Sequence, residues 1–184
     1  MTHPSEWVRR WLAGLAAGAT LLDLAAGGGR HARLAASLGL RVTAIDRDAA
    51  AMGGLAAAGI EALAADLEAD DWPLAGRHFD AVVCTNYLFR PRLPDLFASV
   101  ADGGRLVYET FAAGNERHGR PANPDFLLRE GELIDAARVA GLRVVAYEHG
   151  LATGPKAAVV QRLCAVRGLD PAFVPLESPP GALG

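Results

Sequence analysis

The chain has 184 residues, of which 51% are hydrophobic and 21% charged, and its formal net charge is −3. This composition is typical of a globular domain that buries a sizeable core. The mildly acidic balance, without a block of Lys or Arg, argues against a nucleic-acid partner, and Asp23 interrupts the apolar stretch 11–26, so we expect no membrane span either.

Two cysteines, Cys84 and Cys164, each lie within an apolar run that predicts a buried strand. One thiol per strand gives neither the spacing of a metal site nor a redox pair, so we expect reduced, buried thiols and no bound metal. The first residues of the chain lack the positive-then-apolar pattern of a signal peptide. These features predict a cytoplasmic protein and leave its oligomeric state open.

Segments whose apolar residues recur with the period of a helix alternate, along most of the chain, with apolar segments typical of strands. Ser5 is expected to cap a first helix, which Gly14 and Gly18 end. The other predicted helices cover residues 31–38, 48–58, 94–100 and 131–140. The predicted strands cover residues 20–24, 41–45, 60–65, 79–84, 105–110, 142–148 and 157–166.

Strands that alternate with helices indicate a parallel sheet with helices on both faces. The last two strands are joined without a helix, so they are expected to form an antiparallel hairpin at one edge. We therefore predict an α/β fold with a doubly wound, mostly parallel seven-stranded sheet that ends in this hairpin. Residues 1–167 are expected to form a single domain, and 168–184, with four prolines and no period, a loose C-terminal tail.

Three acidic residues stand at or after the ends of the first three strands, where open α/β sheets bind their ligands: Asp23, Asp46 and Asp66. A glycine turn at 25–29 lies between Asp23 and the next helix. Glycine there lets the backbone approach a ligand closely. A carboxylate after the second strand can accept both hydroxyls of a ribose, so Asp46 and Asp66 predict a bound nucleoside.

The pattern Gly27-x-Gly29-x-x-Ala32 also fits the fingerprint of dinucleotide-binding proteins. Two features favour a different cofactor. The acid that precedes the turn suits an ammonium or sulfonium better than a pyrophosphate, and the chain ends in a hairpin instead of a second mononucleotide-binding half. A NAD(P)-dependent reductase is kept as the alternative interpretation.

Segments 21–30, 42–48 and 64–67 resemble, in order and spacing, the cofactor motifs of class I S-adenosylmethionine-dependent methyltransferases. Segment 79–88 is similar to the fourth-strand motif of that family, and the resemblance covers most of 20–166. The single-domain size is similar to that of tellurite-resistance-type and related small methyltransferases. Ala25 stands where the family often has its first glycine, and we expect an ordinary φ at this alanine.

The resemblance implies S-adenosylmethionine as cofactor and methyl transfer, which we expect to be to a small-molecule acceptor; a non-catalytic cofactor-binding module is a further alternative. We hypothesise that Arg30 pairs with the carboxylate of the cofactor's methionine, with His31 as second candidate. The other implied contacts are Asp23 and the backbone of Gly27, Gly28 and Gly29 beside the methionine part, Asp46 on the ribose, Asp66 on the adenine amino group, Leu67 on the adenine ring, and Asn86 near the sulfonium.

Segment 111–129 shows neither period and follows the fifth strand, so it starts at the same edge as the glycine turn. Long structureless connections in compact domains are often lids or binding loops. We predict that this segment covers the acceptor; the alternative is a solvent-exposed connection. Candidate acceptor-binding residues are Tyr87, Asn115, Arg117 and Arg120, the two arginines for an anionic group. Candidate general bases are Tyr87, Glu109, His118 and Glu148, and spacing selects none of them.

Overall fold

The computed structural model describes residues 3–69, 71–154 and 156–177. In this part of the chain, seven strands and four α-helices form the regular structure. The strands are β1 (Thr20–Leu24), β2 (Arg41–Asp46), β3 (Glu61–Ala64), β4 (Phe79–Thr85), β5 (Val100–Phe111), β6 (Arg143–Ala152) and β7 (Ala158–Val166). The helices are α1 (Glu6–Leu12), α2 (Arg30–Ser37), α3 (Leu93–Ala98) and α4 (Glu132–Val139).

All seven strands belong to one sheet with the order β3-β2-β1-β4-β5-β7-β6. Strands β1 to β5 are parallel to one another where they pair, whereas β7 is antiparallel to both β5 and β6. The strand order reverses at β1, which pairs with β2 on one side and β4 on the other. The predicted mostly parallel sheet with a C-terminal antiparallel hairpin is confirmed.

Helices cover both faces of the sheet, and each face has its own core. On one face, Trp7 and Trp11 of α1 pack with α2 against β1, β2 and β4. On the other face, Phe97 of α3 and Leu133 of α4 pack against β4, β5 and β7. The central strands are therefore buried on both sides, which is why they appear as continuous apolar runs in the sequence.

The start of α1 agrees with its prediction, whereas the helix predicted over 48–58 is wrong. The Ser5 hydroxyl accepts a hydrogen bond from the Trp7 N–H at 3.2 Å, as expected for an N-cap. Residues 48–58 instead form turns and a short 3-10 helix, Ala56–Ala58. Gly54 has a φ of +83°, a left-handed conformation that an α-helix cannot contain. With no long helix here, β3 stays short and largely exposed.

The segment predicted as a loose tail is described as far as residue 177, and 178–184 lie outside the described residues. Its first part returns to the domain. Asp170 pairs with Arg143 at 3.4 Å, and the Arg10 Nε donates to the Leu176 carbonyl at 2.8 Å. The division into a domain and a tail stays a prediction.

No helix in the described part of the chain is long and apolar enough to span a bilayer.

The glycine turn gives a test of the local fold at Gly29. This residue has a φ of +70°, and a Cβ added there would lie 2.5 Å from the Cδ2 of Leu55. We expect Gly29→Ala to lower the free energy of unfolding by about 1–3 kcal/mol, from backbone strain and the steric clash together. Gly28→Ala is the matched control, because its nearest neighbour would be the Ala51 carbonyl oxygen at 3.9 Å. Urea unfolding curves measure both; equal stability of the two variants would contradict this geometry.

Candidate active site

A continuous groove, hereafter the edge groove, runs along the carboxyl edge of the sheet where the strand order reverses. Three neighbouring cavities form it. The first, of about 850 Å³, lies between α1, α2 and the glycine turn. The second, of about 120 Å³, contains Asp46 and Leu67, and the third, of about 270 Å³, contains Phe111 and Phe126. Ala25, Asn86 and Tyr87 each border two of these cavities, which makes the groove continuous.

The glycine turn leaves β1 through three left-handed residues. Gly27 and Gly29 have φ values of +53° and +70°, and Ala25 has +54°. The expectation of an ordinary φ at Ala25 is therefore wrong. The neighbouring strand imposes this conformation, because the Ile45 carbonyl accepts the Ala26 N–H at 3.0 Å. A left-handed alanine costs about 1–2 kcal/mol, which such contacts have to offset.

Asp23 supports the glycine turn from behind. The residue is 1% exposed, and its carboxylate accepts the Ala32 N–H, in the first turn of α2, at 2.9 Å. Burial raises the pKa of Asp23 to about 7, while the hydrogen bond from Ala32 and the charge of Arg30 act in the opposite direction. The side chain therefore ties β1 to the start of α2, and the turn that they hold faces the groove.

Asp46 connects the glycine turn to the end of β2. One carboxylate oxygen accepts the Gly27 N–H at 2.8 Å, and the other accepts the Asp48 N–H at 2.9 Å. A carboxylate has about four acceptor positions, so two remain for a ligand. Asp46 borders the second cavity.

The loop after β3 brings an apolar side chain to the same cavity. Asp66 is exposed, and its carboxylate accepts the Glu68 N–H at 2.9 Å, which closes a tight turn. Leu67, inside this turn, is buried and borders the second cavity beside Asp46. The Arg92 Nε donates to the Leu67 carbonyl at 3.2 Å and holds the turn in place.

Asn86 and Tyr87 follow β4 at the middle of the groove. Asn86 has a φ of +55°, and its N–H donates to the Glu109 carbonyl at 2.9 Å. The Tyr87 hydroxyl is buried without a hydrogen-bond partner among the described residues. Burial raises the pKa of Tyr87 above its ordinary value of 10. Tyr87 thus keeps its proton at neutral pH and can donate a hydrogen bond, so it is unsuited to its predicted role as a general base.

His31 contacts the start of α1 and does not line the groove. The residue is 2% exposed, its Nε2 accepts the Ser5 N–H at 3.1 Å, and its Nδ1 lies 3.4 Å from the Thr85 hydroxyl. Burial lowers the pKa of His31 to about 4, with a further contribution from Arg30, so the ring is neutral at pH 7. A buried neutral imidazole cannot pair with a carboxylate as predicted, and Arg30, which borders the first cavity, is left for that task.

The candidate base Glu109 is already paired. Its carboxylate accepts the Arg162 Nε at 2.6 Å and the Ser5 hydroxyl at 3.0 Å. Arg162 also binds Glu148, the other acidic candidate, at 2.9 Å. These contacts join α1, β5, β6 and β7, and they correct the prediction that either glutamate is a free base.

Segment 111–129 contacts the groove through apolar residues that sequence analysis did not single out, since Phe111, Pro121 and Phe126 border the third cavity. Asn115 is 1% exposed; its amide donates to the Pro121 carbonyl at 2.9 Å and accepts the Val159 N–H at 3.1 Å. Its predicted contact with the acceptor is therefore wrong, because both ends of the amide hold the segment together. The remaining polar candidates are Arg117, His118 and Arg120, and all three are exposed.

Sequence analysis also missed the N-terminal wall of the groove. His3, Pro4 and Arg9 border the first cavity together with Arg33 of α2. Packing of α1 against α2 and β5 brings them there, and no local pattern indicates such a contact. The i, i+3 spacing of Arg30 and Arg33 was the one available signal, because it places both on one side of α2.

Because the Asp23 carboxylate is buried, we expect the free energy of unfolding to depend on pH, and we expect Asp23→Asn to remove this dependence. The pKa of about 7 in the folded chain lies above the ordinary 3.8, so between these values the folded chain holds a proton that the unfolded chain has lost. The free energy of unfolding then falls as pH rises, on the order of 1 kcal/mol per pH unit, and levels off above about pH 7.

The amide in Asp23→Asn retains an oxygen for the Ala32 N–H but does not titrate. We expect the stability of Asp23→Asn relative to wild type to grow from about pH 4.5 to about pH 7 and then stay constant. Urea unfolding of both proteins across this range measures the difference. A difference independent of pH would show that Asp23 does not titrate as its burial requires.

Residues 21–103, from β1 into β5, match the family described as "Methyltransferase domain". This span includes the glycine turn, Asp46, Asp66 and Asn86. A comparison with curated proteins finds no significant match.

Several solved structures share the fold. TehB from Haemophilus influenzae aligns with a TM-score of 0.66 at 19% identity, over 82% of this chain and 58% of that one, so this chain spans little more than half of TehB. An S-adenosylmethionine-dependent methyltransferase from Mesorhizobium loti gives 0.67 at 18% identity, over 86% and 95%. Magnesium protoporphyrin IX methyltransferase from Synechocystis, solved with bound SAH, gives 0.65 at 17% identity, over 84% and 76%.

These likenesses establish the fold, and the family match adds the methyltransferase domain itself. Both agree with the cofactor motifs in the sequence, and neither supports the alternative of a NAD(P)-dependent reductase. Residues 21–103 thus resemble a methyltransferase domain, and the chain has the fold of the S-adenosylmethionine-dependent methyltransferases named above.

Proposed function

We propose that the edge groove binds S-adenosylmethionine across β1 and β2 and directs its methyl group to a small-molecule acceptor in the third cavity. The observation that carries this proposal is the carboxylate of Asp46. Its two oxygens accept the Gly27 and Asp48 N–H groups, and each oxygen keeps one further acceptor position. A vicinal pair of ribose hydroxyls matches two such positions.

The ends of the cofactor fit the neighbouring residues. Leu67 provides an apolar surface for the adenine ring, and Asp66 lies next to it for the exocyclic amino group. At the other end, Arg30 borders the first cavity and makes no hydrogen bond or ion pair within the described residues. A cation in the first turn of a helix is disfavoured by about 0.3–1 kcal/mol, and a methionine carboxylate would offset that cost.

The residues of the groove contribute orientation and exclusion of water. When bound, S-adenosylmethionine supplies a methyl group on a positively charged sulfur, which is already activated for transfer. Holding two reactants in line can lower the barrier by about 7–11 kcal/mol. Tyr87 borders both the second and third cavities, and its unpartnered hydroxyl is available as a donor to cofactor or acceptor.

We propose a small acceptor because the third cavity, of about 270 Å³, has the volume of a small organic molecule. Phe111, Pro121 and Phe126 close it, which supports a covering role for segment 111–129. Arg117 and Arg120 belong to this cover and remain candidates for an anionic group of the acceptor. The buried, unpaired thiols of Cys84 and Cys164 are compatible with the reducing cytoplasm that we propose as the location.

Asp46→Ala tests the ribose contact. The substitution removes two charge-assisted hydrogen bonds to the cofactor, each of about 1.5–3 kcal/mol, so affinity for S-adenosylhomocysteine should fall more than about tenfold. Asp48→Ala is the control, since Asp48 also accepts a backbone N–H in this loop, that of Ala51 at 2.9 Å, but does not border the second cavity. Isothermal titration calorimetry measures both. Unchanged affinity in a folded Asp46→Ala protein would refute the ribose assignment.

Arg30→Ala tests the position of the methionine. S-adenosylmethionine carries a carboxylate and 5′-methylthioadenosine does not, so only the first should lose affinity, by about tenfold for one charged hydrogen bond. The measurement is the ratio of the two dissociation constants in wild type and variant. If this ratio is the same in both proteins, Arg30 does not bind the carboxylate.

A further inference from the structure

The first cavity of the edge groove continues past the glycine turn along the interface of α1 and α2, as far as Ser37 at the end of α2. Its lining is strongly basic. Arg9, Arg30, Arg33 and His3 border it, and none of the described residues that line it is acidic. The chain as a whole carries a net charge of −3, so this concentration of cations is a local feature and not a reflection of composition.

The cofactor accounts for only one of these cations. S-adenosylmethionine has one carboxylate, together with an ammonium and a sulfonium, so its own net charge is positive. Arg30, beside the glycine turn, suffices for that carboxylate. Further arginines next to a cationic cofactor are unfavourable by Coulomb repulsion unless another anion is bound with it.

The two remaining arginines are available to such an anion. Arg33 is exposed, and its side chain makes no ion pair or hydrogen bond within the described residues. Arg9 pairs only with Glu6 in those residues, at 3.7 Å, and the Glu6 side chain is 86% exposed. An exposed i, i+3 pair of this kind contributes at most about 1 kcal/mol, so Arg9 can exchange Glu6 for a ligand at little cost.

We propose that this part of the first cavity, hereafter the α1–α2 cleft and bordered by Arg9, Arg33, Leu34 and Ser37, binds an anionic group of the methyl acceptor. The group is a carboxylate or a phosphate, since guanidinium groups recognise both. Leu34 provides the apolar wall for the carbon skeleton next to that group. The cleft opens on Thr85 and Asn86 in the same cavity, and Asn86 also borders the third cavity, so an acceptor anchored in the cleft can place its methyl-accepting end in the third cavity.

This assignment agrees with the state of the candidate bases. Glu109 and Glu148 share Arg162, and Tyr87 keeps its proton. The arginines of the cleft bind the anionic group directly, so its recognition requires none of these groups. The inference rests on the proposed function, because it assigns the cations that the bound cofactor leaves unpaired.

The test uses the full chain saturated with S-adenosylhomocysteine, which occupies the cofactor part of the groove. Inorganic phosphate and, separately, succinate are titrated into this complex at constant ionic strength by isothermal titration calorimetry. We expect binding of at least one anion, weakened by about tenfold or more in the double variant Arg9→Gln, Arg33→Gln. The anion that loses more affinity in the double variant identifies the class of the anionic group, as a phosphate or a carboxylate.

The matched control is Arg129→Gln, Arg138→Gln, which removes the same charge from side chains that are 78% and 70% exposed, before and within α4. It should change anion affinity by less than about twofold, since exposed charges beyond a Debye length are screened. Equal anion binding in both double variants, or none in the wild-type complex, overturns the inference while leaving the proposed function intact. Failure of S-adenosylhomocysteine itself to bind overturns the proposed function and this inference with it.

In a screen of acceptors, acids should be methylated in preference to their amides, and Arg9→Gln, Arg33→Gln should raise the KM for the acid by about tenfold with little change in kcat. Turnover of the amides with equal efficiency in wild type and variant would contradict an anionic anchor in the α1–α2 cleft.

Discussion

The hydrogen bond from the Gly27 N–H to the Asp46 carboxylate is the contact on which the rest of the site depends. It joins the turn after β1 to the end of β2, and so fixes the spacing between these two strands where they border the groove. Asp23 makes the corresponding bond on the other side, to the Ala32 N–H of α2. The two carboxylates hold the glycine turn between β1, β2 and α2, so its backbone is already ordered where it faces the groove.

Backbone hydrogen bonds to neighbouring strands explain why the chain tolerates strain at its groove. Among the described residues, Ala25 and Asn86 are the two non-glycine residues with positive φ, and both border the first cavity. Each is held by a backbone hydrogen bond from the adjoining strand or turn. Left-handed non-glycine residues persist where surrounding structure over-determines them, and they cluster at functional sites. Two such residues on one cavity indicate that the functional site lies at this edge of the sheet, independently of any sequence motif.

The sequence was sufficient for the sheet and for the acids at its strand ends, because apolar runs locate the strands and a parallel sheet brings those acids to one edge. It was not sufficient where contacts distant in the chain decide a residue's role. His31 comes directly after Arg30 in the sequence, yet the start of α1 covers it. The side-chain oxygen of Asn115 accepts a hydrogen bond from β7. At Ala25, hydrogen bonding to β2 outweighs the preference of alanine for an ordinary φ. In segment 48–58, Gly54 adopts a left-handed conformation that interrupts a helix. Helix propensities differ by less than about 1 kcal/mol per residue, which is too little to decide the structure of this segment.

Acidic and basic side chains lie on different sides of the glycine turn and its groove. Asp23 is an acid withdrawn behind the glycine turn, where burial raises its pKa to about 7, and a positively charged ligand in front of the turn would favour its ionised form. The arginines stand on the opposite side, along α1 and α2. A cationic cofactor and an anionic acceptor would therefore meet opposite potentials at the two ends of one cavity. Because Glu109 is paired and Tyr87 keeps its proton, neither residue is free to accept a proton, and their contribution to the groove is the orientation of charge.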